Sequence, residues 1–236
     1  MSELQQVSVR NRLLGALRPD DFARLVPVLE RVTLTSGAIL IAAHRPIAHV
    51  HFVEEGIVSL VADTHEGRIE IGLVGREGLV GTALVLGTDR TPHAAMVQVE
   101  GAALRVPAGV LGEALAGSPA LRGVLGRYVQ ALMVQVGQTV HAGMDLTVEG
   151  RLARWIVMTH DRLGRDELPL THEFLSLMLG VRRPGVTTAM HVLEGAGMIQ
   201  AKRGRITVRD REKLEDLAGD SYGLAEVEYE RLLADV

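Results

Sequence analysis

Apolar residues near the start of the chain recur at helical spacing: Leu13, Leu14, Leu17, Phe22, Leu25, Val28 and Leu29. That pattern predicts helix over residues 10–31, with Pro19 opening a second short helix. From residue 32 to about 107 the texture changes. Short apolar runs at 32–34, 38–41, 49–53, 57–61, 69–73, 95–99 and 104–106 alternate with turn residues, and glycines at 37, 56, 67, 72, 75, 78, 81, 87 and 101 punctuate them. Strands about every ten residues with turns between predict an antiparallel barrel or roll.

After Pro107 the helical period returns. Ser118-Pro119 reads as an N-cap and first helical position, so one long helix is expected over 118–145. Leu121, Leu125, Tyr128 and Leu132 form one apolar stripe on it, and Met133, Val136 and Val140 a second. A helix with two apolar faces needs two partners. One face can pack on the roll and the other on a second copy of the chain, as in a coiled coil. These seven residues are the expected dimer contacts; the alternative is a helix sunk in a monomeric core. A further helix is expected over 147–163, capped by Thr147 and carrying Leu152, Trp155, Ile156 and Met158, then a loop over 164–169.

Thr171 caps a predicted helix 172–179 that offers Phe174, Leu175 and Met178 to a core. Gly180 supplies a turn where positive φ is cheap, and Val181 fills the corner. Arg183-Pro184 opens a second helix, 184–194, with Val186, Met190, Val192 and Leu193 as buried candidates. Two short helices joined by a tight glycine turn are the mark of a helix-turn-helix. The start of the second helix then faces base edges, which selects Arg182, Arg183, Thr187, Thr188 and His191 as DNA contacts, with Thr171 at the opening of the first helix. Residues 200–208 read as a hairpin with Gly204 at its tip. Lys202, Arg203 and Arg205 project from it as a wing for the phosphate backbone. Plain αα packing and a solvated charge run are the bland readings of the same features.

Charge sharpens the picture. The chain of 236 residues carries a formal net charge of −4, yet residues 182–213 hold eight basic side chains against three acidic ones. A basic island in an acidic protein is the footprint of a DNA-binding module, not of a chain that coats nucleic acid along its length. The chain contains no cysteine, which excludes disulfides, thiolate catalysis and cysteine-ligated metal or iron–sulfur sites. No signal peptide or uncharged apolar run of membrane-spanning length is visible, so a cytoplasmic location without membrane contact is expected. His49 and His51 stand two apart on a strand near His44; the spacing can hold a metal, but a surface stripe or core position is commoner, and no metal or cofactor is expected. His160-Asp161 reads as a pair serving the last carbonyls of its helix. No hydrolase triad, HExxH or P-loop is present, so an enzyme is not expected.

Three stretches carry a resemblance to the Crp/Fnr family of bacterial regulators: Gly75-Arg-Glu-Gly-Leu-Val-Gly-Thr, Val148-Glu-Gly-Arg-Leu-Ala-Arg, and Leu179-Gly-Val-Arg-Arg-Pro-Gly-Val-Thr-Thr followed by Leu193-Glu-Gly-Ala-Gly-Met-Ile. The likeness runs from about residue 13 to about 218. It implies an α+β chain: a cyclic-nucleotide-binding-like β-roll over 1–117, a dimerisation helix over 118–145 and a winged helix-turn-helix over 146–236. It implies a homodimeric transcription regulator whose partners are double-stranded DNA, a second copy of the chain, RNA polymerase and an unidentified small-molecule effector. The effector pocket would involve Val80, Gly81, Thr82, Arg90, His93, Ala94 and Val136.

The departures bear on ligand and target. Where cyclic-AMP-binding members resemble one another in Gly-Glu, this chain has Gly81-Thr82; where they have Arg-Ser, it has His93-Ala94; and their adenine-contacting Thr-Ser falls near Val136-Gly137. Without the ribose carboxylate and the bidentate arginine, weak or no cyclic AMP binding is expected, unless Arg90 anchors the phosphate. Oxygen sensing of the Fnr type needs cysteine ligands. In the recognition helix, Arg183-Pro184-Gly185-Val186-Thr187-Thr188 stands where the resemblance has Arg-Glu-Thr-Val-x-Arg, so a different operator is expected. A ligand-binding module that acts through protein partners is the second reading of the chain.

Overall fold

The computed structural model describes residues 4–65 and 67–234. Helices α1 (Arg12–Ala16) and α2 (Pro19–Leu25) open it. The predicted helix over 10–31 stops early, because Glu30–Leu34 is already a strand, β1. Asn11 fixes the start: its side-chain oxygen caps α1 at Leu14 N (3.1 Å), and its amide donates to Val53 O and Gly78 O, both at 2.8 Å.

The roll is a six-stranded antiparallel sheet of β1, β2 (Ile39–Ile41), β3 (His49–Thr64), β4 (Gly67–Val74), β5 (Leu79–Val80) and β6 (Ala94–Pro107). Two long strands replace four of the expected short ones. Gly56 and Gly101, expected as turns, lie inside β3 and β6 where the two strands press together. A Cβ on Gly56 would stand 2.4 Å from Val99 O, and one on Gly101 would stand 2.1 Å from Glu55 O. The pairing register shifts at the same place, between Val53 and Ile57. The glycines therefore permit a bulge in continuous strands rather than ending them. Inside the roll, Leu34, Val53, Val58, Val74, Val80, Val97 and Ala103 form one aliphatic core.

Helix α3 (Thr82–Val85) follows β5, and α4 (Ala108–Gly117) leads into the long helix α5 (Pro119–Asp145). Ser118 caps α5 through Leu121 N at 3.1 Å with Pro119 in its first turn, as expected. The two apolar stripes of α5 part company. Leu121, Leu125, Tyr128 and Leu132 are buried in the chain's own core, beside Phe52, Leu79, Leu104 and Leu111. They are not available to a second copy, which removes four of the seven expected dimer contacts. Met133 and Val140 stay exposed, joined by Met144, and Val136 is half-buried.

Helix α6 (Val148–Leu163) buries Leu152, Trp155, Ile156 and Met158 against the following domain, capped by Thr147 at Gly150 N (3.3 Å). The expected loop after it contains a short strand, β7 (Glu167–Leu168), which pairs with the wing. Then come α7 (His172–Leu179) and α8 (Arg183–Gly195), wing strands β8 (Ile199–Lys202) and β9 (Arg205–Val208), and α9 (Arg211–Ala218). Val192 proves to be half exposed: it lies on the outer side of α8, while Val186, Ala189, Met190 and Leu193 face the core. A last helix, α10 (Leu224–Leu233), leaves the winged domain altogether. It packs along α5, and Arg12 of α1 grips Glu230 with two hydrogen bonds of 2.8 and 2.7 Å. No described helix is long and apolar enough to cross a membrane.

Candidate nucleic-acid interface and effector domain

The turn between α7 and α8 is built as the residues dictate. Thr171 accepts from Phe174 N at 3.2 Å to start α7. Gly180 ends it in the left-handed conformation, φ 61°, and Val181 folds in against the core. Arg182 is the N-cap of α8 and Arg183 its first residue, followed by Pro184, whose missing N–H costs nothing there. Arg182, Arg183, Thr188 and His191 are exposed along one side of α8. Thr187, also on α8, is half-buried; its hydroxyl donates to Arg183 O at 3.1 Å and lies 3.4 Å from His172 Nδ1. Thr188 donates to Pro184 O at 3.1 Å. Both threonines satisfy their protons on the helix, so their methyl groups and acceptor lone pairs remain for an incoming surface.

Arg183 carries one weak restraint, an exposed ion pair with Glu173 at 3.3 Å, and a phosphate or guanine can replace it at little cost. The wing is a hairpin with Lys202 paired to Arg205 and a two-residue turn, Arg203-Gly204, in which Gly204 takes φ 72°. Lys202, Arg203 and Arg205 are all exposed. Arg205 meets Glu167 of β7 at 2.8 Å, so it also ties the wing to its third strand. Recognition helix and wing thus present the predicted cations on the surface of a domain built on a largely apolar core.

The effector-pocket candidates scatter. Val80 and Ala94 are buried, and Val80 belongs to the aliphatic core of the roll. Gly81 takes φ 117° at the start of α3, and Thr82 is its first residue. Arg90 is exposed and paired to Asp89 at 2.8 Å, so its guanidinium is turned to solvent. Val136 lies on α5 in the wall of a cavity between β4, α5, α6 and α7, away from the other candidates. His51 is buried, and burial, with His49 and Arg105 adding to it, pushes its imidazole down to about 4. Its ring centroid is 6.4 Å from that of His49. Among the described residues no group of three ligating side chains could hold a metal ion.

Sequence reasoning missed how the two halves meet. His160-Asp161 does not serve carbonyls. His160 Nε2 meets Asp166 at 2.9 Å and its Nδ1 accepts from Arg211 at 2.7 Å, while Asp161 holds Arg211 and the Tyr222 hydroxyl, each at 2.7 Å. The pair locks α6 to α9. Glu70 of β4 is 9% exposed and accepts the Trp155 indole N–H of α6 at 2.9 Å. Burial pushes its carboxyl up to about 8. Ser59 lies beside it but gives its one proton to Gln98 at 2.6 Å. A glutamate in a polar-apolar alternation carries no mark of such a role in sequence.

Gly75 and Gly78, read as the opening of a phosphate cassette, have another task. A Cβ on Gly75 would meet Arg162 at 2.8 Å, and one on Gly78 would meet the Tyr128 hydroxyl at 2.1 Å. The turn is glycine-rich because α5 and α6 press their side chains into it.

Comparison with known proteins agrees with this layout. Residues 31–118 match the cyclic nucleotide-binding domain family, and residues 150–217 match the Crp-like helix-turn-helix domain. Among solved structures, FixK2 from Bradyrhizobium japonicum aligns with a TM-score of 0.71 at 16% identity, over 81% of this chain and 98% of that one. A CRP/FNR-family transcriptional regulator from Thermus thermophilus aligns at 0.65 and 22% identity, over 80% and 98%. The c-di-GMP-responsive global regulator CLP from Xanthomonas campestris aligns at 0.67 and 14%, over 81% and 99%. No curated protein matches the sequence. A roll of the cyclic-nucleotide-binding type, a long connecting helix and a Crp-like helix-turn-helix in one chain make this a member of the Crp/Fnr family, a non-enzymatic DNA-binding transcription regulator.

Proposed function

We propose that the chain works in the cytoplasm as a homodimer that reads a near-palindromic operator and acts there on RNA polymerase. The observation that carries the dimer is the free face of α5. Gln130, Met133, Gly137, Val140 and Met144 are all exposed and follow one another at spacings of three and four. That is the heptad period of a two-stranded seam, and Gly137 has open space around its Cα, which lets two helices approach closely. A dimer through this seam sets two recognition helices about 34 Å apart, one turn of DNA.

The roll departs from a cyclic AMP receptor at the positions of the ribose carboxylate and of the arginine-serine pair that holds the phosphate. Thr82 and His93-Ala94 offer neither a carboxylate nor a guanidinium, and the Arg90 guanidinium lies exposed beside Asp89, turned to solvent. Weak or no cyclic AMP binding is therefore expected. Light scattering on the purified protein should return twice the chain mass of 25.5 kDa, and site selection from a random DNA library should return a two-fold symmetric sequence. A monomer that binds an asymmetric site sinks the reading. Sub-micromolar cyclic AMP binding by calorimetry sinks its ligand half.

A further inference from the structure

The chain does not stop where the winged domain ends. After α9, a short turn over Gly219–Ser221 and helix α10 carry it back to the roll. The turn itself is held on the winged side. Arg154 of α6 donates to Ser221 O at 2.8 Å. The Tyr222 hydroxyl donates to Asp161 of α6 at 2.7 Å and accepts from Arg211 of α9 at 2.6 Å. Further along, the same segment is held by the roll. Tyr229 is 7% exposed and lies in one apolar cluster with Leu13, Leu14 and Leu125. Its hydroxyl donates to Glu77 O in the β4–β5 turn at 2.7 Å, and the Arg12 guanidinium stands over its ring at 4.8 Å while gripping Glu230.

Two features make this attachment releasable. Gly223, between the two anchors, takes φ 96° and has open space around it, so the chain can pivot there. Nor does α10 seat fully on α5. A cavity of about 350 Å³ lies beneath it, walled by Ala131, Leu132 and Gln135 of α5 and by Ala225, Glu226 and Tyr229. A segment with an incomplete set of buried contacts opens at a lower free energy than the core beside it. The turn that α10 grips leads into β5 and α3, where Gly81 and Thr82 stand. The Glu77 carboxylate in that turn also takes Arg162, near the end of α6, at 2.8 Å. One residue of the roll therefore holds both α10 and α6.

We propose that α10 is a strap between the halves of the protein. Docked, it ties the winged domain to the β4–β5 turn and fixes the posture of the recognition helix. Undocked, it lets α6 and the winged domain swing away from β4. A shift of the β4–β5 turn then reaches the winged domain through Tyr229 as well as through Arg162. The strap acts within one chain and needs neither the dimer seam nor an operator.

Trp155 is the one tryptophan of the chain, is 4% exposed and sits on the contact between β4 and α6. Quenching of its fluorescence by acrylamide therefore reports whether the halves stay together. On the full-length chain, well below its unfolding transition, Tyr229→Ala should raise the quenching constant several-fold while a cooperative thermal transition is retained. The chain has no cysteine, so Arg12→Cys with Glu230→Cys, bridged by a short bis-maleimide, fastens the strap. Added to Tyr229→Ala, the bridge should return quenching to the wild-type value. The exposed ion pair offers a milder variant should Tyr229→Ala not fold. Arg12→Glu sets two like charges against each other and should raise quenching, and Arg12→Glu with Glu230→Arg should restore it. The proposal falls if Trp155 stays as shielded as in the wild type in folded Tyr229→Ala or, where that variant does not fold, in Arg12→Glu. It falls equally if quenching rises but neither the bridge nor the charge exchange restores it.

Discussion

Glu70 on β4 accepts the indole N–H of Trp155 on α6 at 2.9 Å, and the bond is buried between the roll and the DNA-binding half. It makes the contact between the halves sensitive to proton concentration. The second oxygen of Glu70 has no partner among the described residues, so ionisation leaves a buried charge poorly compensated, and the carboxyl rises from 4.5 to about 8.

The folded protein keeps a proton on Glu70 that the unfolded chain has lost above its ordinary value of 4.5. This contribution to stability is fully present below that pH and is lost as pH rises to about 8. Glu70→Gln keeps an acceptor for Trp155 and removes the charge. It should gain on the order of 1–3 kcal/mol over wild type at high pH and show a flatter profile. Urea unfolding at pH 5 and pH 8.5 measures both. Parallel pH profiles for the two proteins would show that the carboxyl ionises freely in the folded state.

The seam on α5 can be separated from the core on the same helix. Met133→Glu and Val140→Glu place charge on exposed positions; they should yield a folded monomer by light scattering. Leu132→Ala, at a residue 8% exposed and packed inside the chain, should instead cost about 2–5 kcal/mol of stability. A dimer that survives both glutamates at micromolar concentration would move the interface elsewhere.

The crossing of β3 and β6 gives a sharper structural test. Gly101→Ala would put a methyl group 2.1 Å from Glu55 O, and the carbonyl belongs to a paired strand that cannot retreat. A loss of stability of more than ~2 kcal/mol is expected, whereas Gly109→Ala, with nothing within 4 Å, should leave stability the same or raise it. Equal effects in thermal unfolding would mean that the strands do not pinch there.

Much of this architecture is legible from pattern. The caps Ser118, Thr147 and Thr171 stand where local chemistry puts them, because a hydroxyl one step before a helix meets its first free N–H groups whatever the tertiary context. The helix-turn-helix is legible for the same reason: Gly180 and Pro184 act locally. Strand length is not. Gly56 and Gly101 look like turns, and only the close approach of another strand shows why they are glycine. The two stripes of α5 are visible in sequence, but which one faces the chain's own core is decided by the partners it meets, Phe52, Leu79, Leu104 and Leu111, which lie far off in the chain or on another helix. Glu70, Tyr128 and Arg162 gain their properties from burial between elements far apart in the chain.

Arg183 opens α8 at the point where a recognition helix comes closest to the groove, and its exposed pair with Glu173 releases easily. Lys202 and Arg203 ride near the tip of the wing, where no described residue pairs with either. The two kinds of contact should fail differently. Arg183→Ala should cost about 1–3 kcal/mol per half-site and flatten the preference at one base position. Arg203→Ala should weaken all sequences alike and reduce the salt slope by about one for each phosphate no longer neutralised. Arg205→Ala should do the same and also loosen β7 through the loss of its ion pair with Glu167. Binding-site selection on wild type and variants, with affinities measured at two salt concentrations, separates these outcomes. If Arg183→Ala leaves both site preference and affinity unchanged, the opening of α8 does not face the bases, and the domain must approach DNA from another side.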